Sequence, residues 1–133
     1  MKAAEDRAES KAERWRRVAV EAVKQCGRGI IPEVRTPVTF EAMLGMVKDF
    51  DVCIMPYEEL GRNGVRDFKR VLKDAGEASA IGIIVGPEGG FSPAEAEAAA
   101  MNGVRLAGLG ERIMRTETVG GSLLSMIAYE YEY

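Results

Sequence analysis

The sequence predicts an α/β domain, a parallel sheet flanked by helices, on three observations. Mainly apolar runs at 51–55, 80–85 and 104–107, charged only at Asp51 and Arg105, lack the regular polar alternation of half-exposed strands. Segments with apolar residues at helical spacing separate those runs. A Gly-rich turn lies between the second run and a strong helix start, the place where open parallel sheets take their ligands.

The elements follow in order. Trp15, Val18, Ala19, Ala22, Val23 and Cys26 recur at helical spacing, with Arg14, Arg16, Arg17, Glu21 and Lys24 on other faces. This amphipathic helix should stop near Gly27, Gly29 and Pro32, while the Ala/Glu/Lys/Arg-rich opening either extends it or frays. Phe40, Met43, Leu44 and Val47 mark a second helix. The run 51–55, ended by Pro56, is a buried strand. Val65, Phe68, Val71 and Leu72 form the next helix, and 80–85 the clearest strand. Ser92 as N-cap, Pro93 at the first helical position and Glu95 three residues after the cap start a helix over 93–101. A strand at 104–107, a loop over 108–116 and a final helix from about 117 to 128 complete the chain. That helix is apolar nearly all round, so it is expected to be buried, either in the core or against a second copy.

Length and charge narrow the chemistry. The 133 residues suit one domain, and 18 Lys+Arg against 21 Asp+Glu give a net charge of −3 with no histidine. Ser-His-Asp and Cys-His relays and His-based metal sites are therefore excluded, and no metal is expected. Cys26 and Cys53 belong to no C-x-x-C pair and read as buried, reduced thiols of a cytoplasmic protein. No run approaches the ~18 apolar residues that a membrane span needs. Slight acidity means that any nucleic acid must be held by local basic clusters.

Two segments carry candidate chemistry. Nine of the 15 glycines fall from Gly82 onward, which puts the close-approach backbone in the second half. Gly86-Pro87-Glu88-Gly89-Gly90-Phe91-Ser92 follows the clearest strand, yet it lacks the P-loop pattern, and Glu88 would repel phosphate. Leu109-Gly110-Glu111-Arg112-Ile113-Met114-Arg115-Thr116-Glu117-Thr118 follows the last strand. The alternation of Arg112 and Arg115 with Ile113 and Met114 suggests a partly buried loop with its arginines aimed at phosphate or a polarised carbonyl. A turn that merely links strand to helix and a solvated charge run remain the plainer readings.

These two motifs, with R-W-R-R-V-A-V-E-A-V-K-Q-C-G-R at 14–28, resemble the bacterial 16S rRNA uridine N3-methyltransferase family of the SPOUT superfamily. The resemblance implies a C-terminal trefoil knot, a homodimer, S-adenosylmethionine as cofactor and small-subunit ribosomal RNA as substrate. By that resemblance Val85, Gly86, Pro87, Glu88, Gly89 and Gly90 form one cofactor loop. Leu109, Gly110, Ile113, Met114 and Thr118 contribute a second, and Met55, at its turn with Pro56, a weaker third wall. Arg112, Arg115 and Glu117 become the catalytic candidates, with Arg115 stabilising charge on the uracil carbonyls and Glu88 or Glu117 taking the N3 proton.

Three departures from the family pattern are conservative: Met114 for a usual Leu, Val119 for Ala and Cys26 for Ser. A larger one is at the front, where the family has a β-barrel RNA-binding domain and a first strand and helix before the stretch that matches here. The chain is expected to be the C-terminal methyltransferase part of a longer enzyme, dependent on that domain for RNA. The competing readings are a non-catalytic dimerisation or RNA-associated module that keeps the fold, and a phosphate-binding α/β module.

Overall fold

The structure is a computed structural model that describes residues 2–112 and 114–132. It divides into two compact units, 1–40 and 41–133.

The first unit is a long helix and its return. Helix α1 spans Lys2–Cys26, so the charged opening extends the helix rather than fraying. It ends where Gly27, at φ +70°, donates its N–H to the Val23 carbonyl at 2.9 Å, a turn that only glycine enters without strain. The Arg16 guanidinium donates to the Val34 carbonyl at 2.9 Å and ties the return segment to the helix. Cys26 is exposed, which corrects the expectation that both thiols are buried: it occupies the last helical position, on the solvent side.

The second unit is a three-stranded parallel sheet between helices, as the sequence predicts. Helix α2 (Phe40–Met46) runs into a 3-10 turn at Val47–Asp49, and strand β1 (Val52–Pro56) follows. Helices α3 (Glu58–Arg62) and α4 (Phe68–Ala75) lead to β2 (Ile81–Ile83), then α5 (Pro93–Met101), β3 (Arg105–Ala107) and α6 (Thr116–Glu132). The strand order is β2-β1-β3, with Val52 opposite Ile81 and Met55 opposite Leu106. The central strand β1 shows the two-residue alternation of a strand covered on both sides. Cys53 and Met55 pack with Val47, Ala96, Ala99 and Val104 on one face. Ile54 packs with Phe68, Val71, Leu72, Ala107 and Leu123 on the other.

Asp51 fastens the entry to β1 and β2. Its carboxylate accepts the N–H groups of Ser79 at 2.8 Å and Ala80 at 2.9 Å, and its own N–H donates to the Ala80 carbonyl. These bonds, Ala80's first, hold the carboxyl below the usual carboxylate range.

Several boundaries differ from expectation, each for a local reason. Strand β2 is shorter than 80–85: Ile84 still donates to the Ile54 carbonyl, but the chain then leaves the sheet for the Gly-rich turn. Helix α4 starts at Phe68 rather than near Val65 because Arg66 bridges antiparallel to Leu109. The helix over 93–101 appears as predicted. Ser92 Oγ accepts from the Glu95 N–H at 3.1 Å, and the Glu95 carboxylate accepts from the Ser92 N–H at 2.8 Å. Helix α6 runs to Glu132, and Tyr131 donates its hydroxyl proton to the Gly76 carbonyl at 2.9 Å. Only one stripe of α6 is buried, by Leu123 with Val119 and Ile127 beside it. Leu124, Met126 and Tyr129 are exposed, so of the two coverings expected for this helix the core supplies one for the Leu123 side alone.

Candidate functional site

The three strands point their carboxyl ends into one place. From β1 the chain turns at Pro56 into Tyr57, Glu58 and α3. From β2 it enters Val85 and the Gly-rich turn, and from β3 it enters 108–115. Helix α4, which follows β1, packs on the Ile54 face, whereas α5, which follows β2, packs on the Cys53 and Met55 face, so the loops leaving the neighbouring strands β1 and β2 diverge and open a crevice. An open cleft of about 530 Å³ lies at these ends, within the range of small-molecule sites.

Close backbone approaches set the shape of the cleft. A Cβ on Gly61 would lie 2.5 Å from the Gly110 carbonyl oxygen, so α3 and the loop after β3 touch through glycines. Gly110, at φ +87°, donates its N–H to the Val65 carbonyl at 2.8 Å. Gly108 is buried against Val65, and a side chain there would overlap the Val65 carbonyl. Asp67 explains this order: its Oδ1 accepts the Gly108 N–H at 2.8 Å, and its N–H donates to the Gly108 carbonyl at 3.1 Å. Across the cleft the Phe91 ring lies against Gly86, where a Cβ would come within 2.9 Å. Phe91 also packs on the core cluster around Met55, so this wall is anchored to the sheet.

The lining mixes apolar walls with both signs of charge. Val85, Phe91, Leu109, Met114 and Val119 supply apolar surface. Glu58, Glu88, Glu111 and Glu117 supply carboxylates, and Arg62, Arg112 and Arg115 supply guanidinium groups. Arg62 is held by Glu58 at 3.3 Å, while Arg115 Nη1 stands 3.9 Å from Glu117 Oε1. Both side chains of that second pair are largely exposed.

The structure brings most of the predicted residues to this cleft. Val85, Gly86, Pro87, Glu88, Gly90, Leu109, Gly110, Arg112, Met114, Arg115 and Glu117 all line it. Met55 does not: it is fully buried beneath the site, and its neighbour Pro56 forms the wall instead. Gly89 and Thr118 are exposed outside the lining, and Ile113 lies outside the described residues. The loop after β3 is partly buried, as expected, through Leu109, Gly110 and Met114, while Arg112 and Arg115 are exposed. Met114 alone of the described alternation is half-buried, which keeps the guanidinium groups in reach of solvent and of a ligand. Sequence reasoning missed Tyr57, Glu58, Gly61 and Arg62. Their signal was position, because they follow the carboxyl end of the central strand.

Comparison with known proteins adds a family and its relatives. A family model described as an RNA methyltransferase domain matches residues 1–128. Ribosomal RNA small subunit methyltransferase E of Bacillus subtilis (strain 168) is 37% identical over 127 residues, covering 95% of this chain and 50% of its own. A crystal structure of a Ribosomal RNA small subunit methyltransferase E from Neisseria gonorrhoeae, bound to S-adenosyl methionine, superposes with a TM-score of 0.78 at 28% identity. That match covers 94% of this chain and 50% of the other. A crystal structure described as that of a hypothetical protein superposes at 0.83 with 35% identity, covering 96% of this chain and 49% of its own. The chain spans about half the length of the curated relatives it matches.

Proposed function

The chain belongs to the RNA methyltransferase domain family, and from that premise we propose that it transfers a methyl group from S-adenosylmethionine to uridine N3 of small-subunit ribosomal RNA. The observation that carries the reading is the cleft at the ends of β1, β2 and β3, walled by the Gly-rich turn and the arginine loop. Its donor set fits the cofactor. A flat apolar base suits Val85, Phe91 and Leu109, and a cationic sulfonium and ammonium suit the carboxylates of Glu58 and Glu88. Residues 86–90 and 109–114 would hold the cofactor, which when bound supplies an activated methyl group.

The chain's own groups then have two tasks, alignment and charge management. Arg115, exposed on the cleft, is the group that stabilises negative charge building on the uracil carbonyls as N3 loses its proton, with Arg112 beside it in the loop. Either Glu88 or Glu117 accepts that proton. Glu117 stands beside Arg115, which also equips it to order the arginine. In this reading the loop after β3, lying against residues 61–66, is part of the trefoil threading that the family resemblance implies. The exposed half of α6 presents Gly121, Leu124, Ser125, Met126 and Tyr129, with its charges confined to the helix ends at Glu117, Glu130 and Glu132, which suits the seam of a homodimer.

The test is methyl transfer to small-subunit ribosomal RNA in the context of a full-length enzyme, with position read by mass spectrometry of the digested nucleosides. Arg115→Ala is expected to abolish transfer and leave cofactor affinity intact. Near-normal turnover would remove Arg115 from the reaction, and a methyl group on any atom other than uridine N3 would overturn the assignment.

A further inference from the structure

We infer that the first unit contributes an RNA-phosphate-binding surface, a basic stripe along α1 formed by Arg7, Lys11 and Arg14 and flanked by Trp15. This rests on the RNA methyltransferase reading for its partner and goes beyond it in locating a grip outside the cleft.

Charge is divided sharply between the units. Residues 1–40 carry nine Lys/Arg against six Asp/Glu, whereas residues 41–133 carry nine against fifteen. An acidic second unit repels a phosphate backbone, so of these two units the first is the one whose net charge attracts it. At about 100° per residue, Arg7, Lys11 and Arg14 fall within about 60° of one another, with Val18 between them and Arg17 at the border. Buried Ala12 lies on the other side of the helix, so the stripe faces solvent. Arg7 and Arg14 are about 10 Å apart along the axis by helical rise, a span that can meet successive phosphates of one strand.

Among the described residues the stripe's cations have no competing partners. The ion pairs of the first unit use Arg16 with Glu9, Lys24 with Glu21 and Arg35 with Glu33. Arg7, Lys11, Arg14 and Arg17 enter no ion pair or hydrogen bond through their side chains among the described residues. Cations lodged in intramolecular pairs would first have to give those up, and these do not. Trp15, 40% exposed on the stripe's flank, offers an indole face on which an unpaired base can stack. Arginine and an exposed aromatic side by side match RNA better than an acidic protein surface, which would have no use for the ring.

The 133-residue chain and a fluorescein-labelled hairpin of small-subunit ribosomal RNA test this by anisotropy across a salt series. The variant Arg7→Gln/Lys11→Gln/Arg14→Gln keeps good helix formers, and Lys48→Gln/Lys69→Gln/Lys73→Gln removes the same charge from exposed lysines of the second unit that make no ion pair among the described residues. The stripe variant is expected to bind at least tenfold more weakly and to lower the salt slope by about two to three units, while the lysine variant stays within about twofold. Trp15, the single tryptophan, should be quenched on RNA addition. Equal losses in both variants, no loss in the stripe variant, or no RNA binding by the parent chain would overturn the inference. Calorimetry with S-adenosylmethionine on the parent and stripe variant separates the two ideas. Absent cofactor binding in both counts against the methyltransferase reading, and the stripe is judged on the salt slope alone.

Discussion

Asp67 and Gly108 hold one another at both ends: the Gly108 N–H donates to Asp67 Oδ1 at 2.8 Å, and the Asp67 N–H donates to the Gly108 carbonyl at 3.1 Å. This reciprocal pair joins the start of α4 to the loop leaving β3, and so fixes the arginine loop to the scaffold. Because Asp67 serves this loop, no side-chain bond caps its own helix. Asp67→Ala leaves the N–H of buried Gly108 without its acceptor, a loss of about 1–3 kcal/mol. Urea denaturation should show that loss, and cofactor affinity should fall with it. Asp67→Asn, whose amide oxygen can still accept, should lose less.

Gly61 makes the next prediction through space rather than bonding. Its missing side chain leaves room for the Gly110 carbonyl, and a methyl group would meet backbone at 2.5 Å. Backbone cannot rotate aside as a side chain does, so Gly61→Ala forces α3 and the loop after β3 apart. A destabilisation of about 1–3 kcal/mol is expected. Gly64→Ala is a useful contrast, since φ +82° strains the backbone there while nothing lies within 4 Å. It should reduce stability and spare the cleft, which thermal unfolding and cofactor titration read separately.

Asp51 predicts a pH dependence. Its carboxyl is held below its ordinary value by the N–H groups of Ala80 and Ser79. A folded-state pKa below the unfolded one contributes stability above the unfolded value, and that contribution is lost as pH falls through the folded value. Asp51→Ala should therefore lower the melting temperature at neutral pH. The gap between variant and parent should close as the pH falls below about 4. A gap that persists unchanged in acid would mean that packing, not charge, carries the effect.

The two thiols should react at very different rates. Cys26 is exposed, whereas Cys53 is 4% exposed, sits under Gly82, and has its thiol pushed up by burial. A disulfide reagent should titrate one thiol in the native chain and two in denaturant. Rapid reaction of both in the native chain would contradict the packing of β1.

The sequence made the sheet and α5 legible because their signals are local. Unbroken apolar runs mark β1 and β2, and Ser92, Pro93 and Glu95 mark the start of α5 wherever the chain goes next. Arg66, Asp67 and Gly108 were illegible for the opposite reason: their partners lie about forty residues away, so a helix expected from Val65 gives way to a bridge with Leu109. Gly61 carries no local signal either, because its role is clearance for Gly110, a residue distant in sequence. Periodicity also reported the apolarity of α6 without saying which half is covered, since Leu123 and Leu124 differ by one position and by 62% in exposure.

The most direct measurement is calorimetric titration of the folded 133-residue chain with S-adenosylmethionine and with its demethylated product. The account predicts saturable binding at one site per chain, weakened by Gly61→Ala and Asp67→Ala and unchanged by Arg7→Gln/Lys11→Gln/Arg14→Gln. No heat and no shift in melting temperature with either ligand would contradict it.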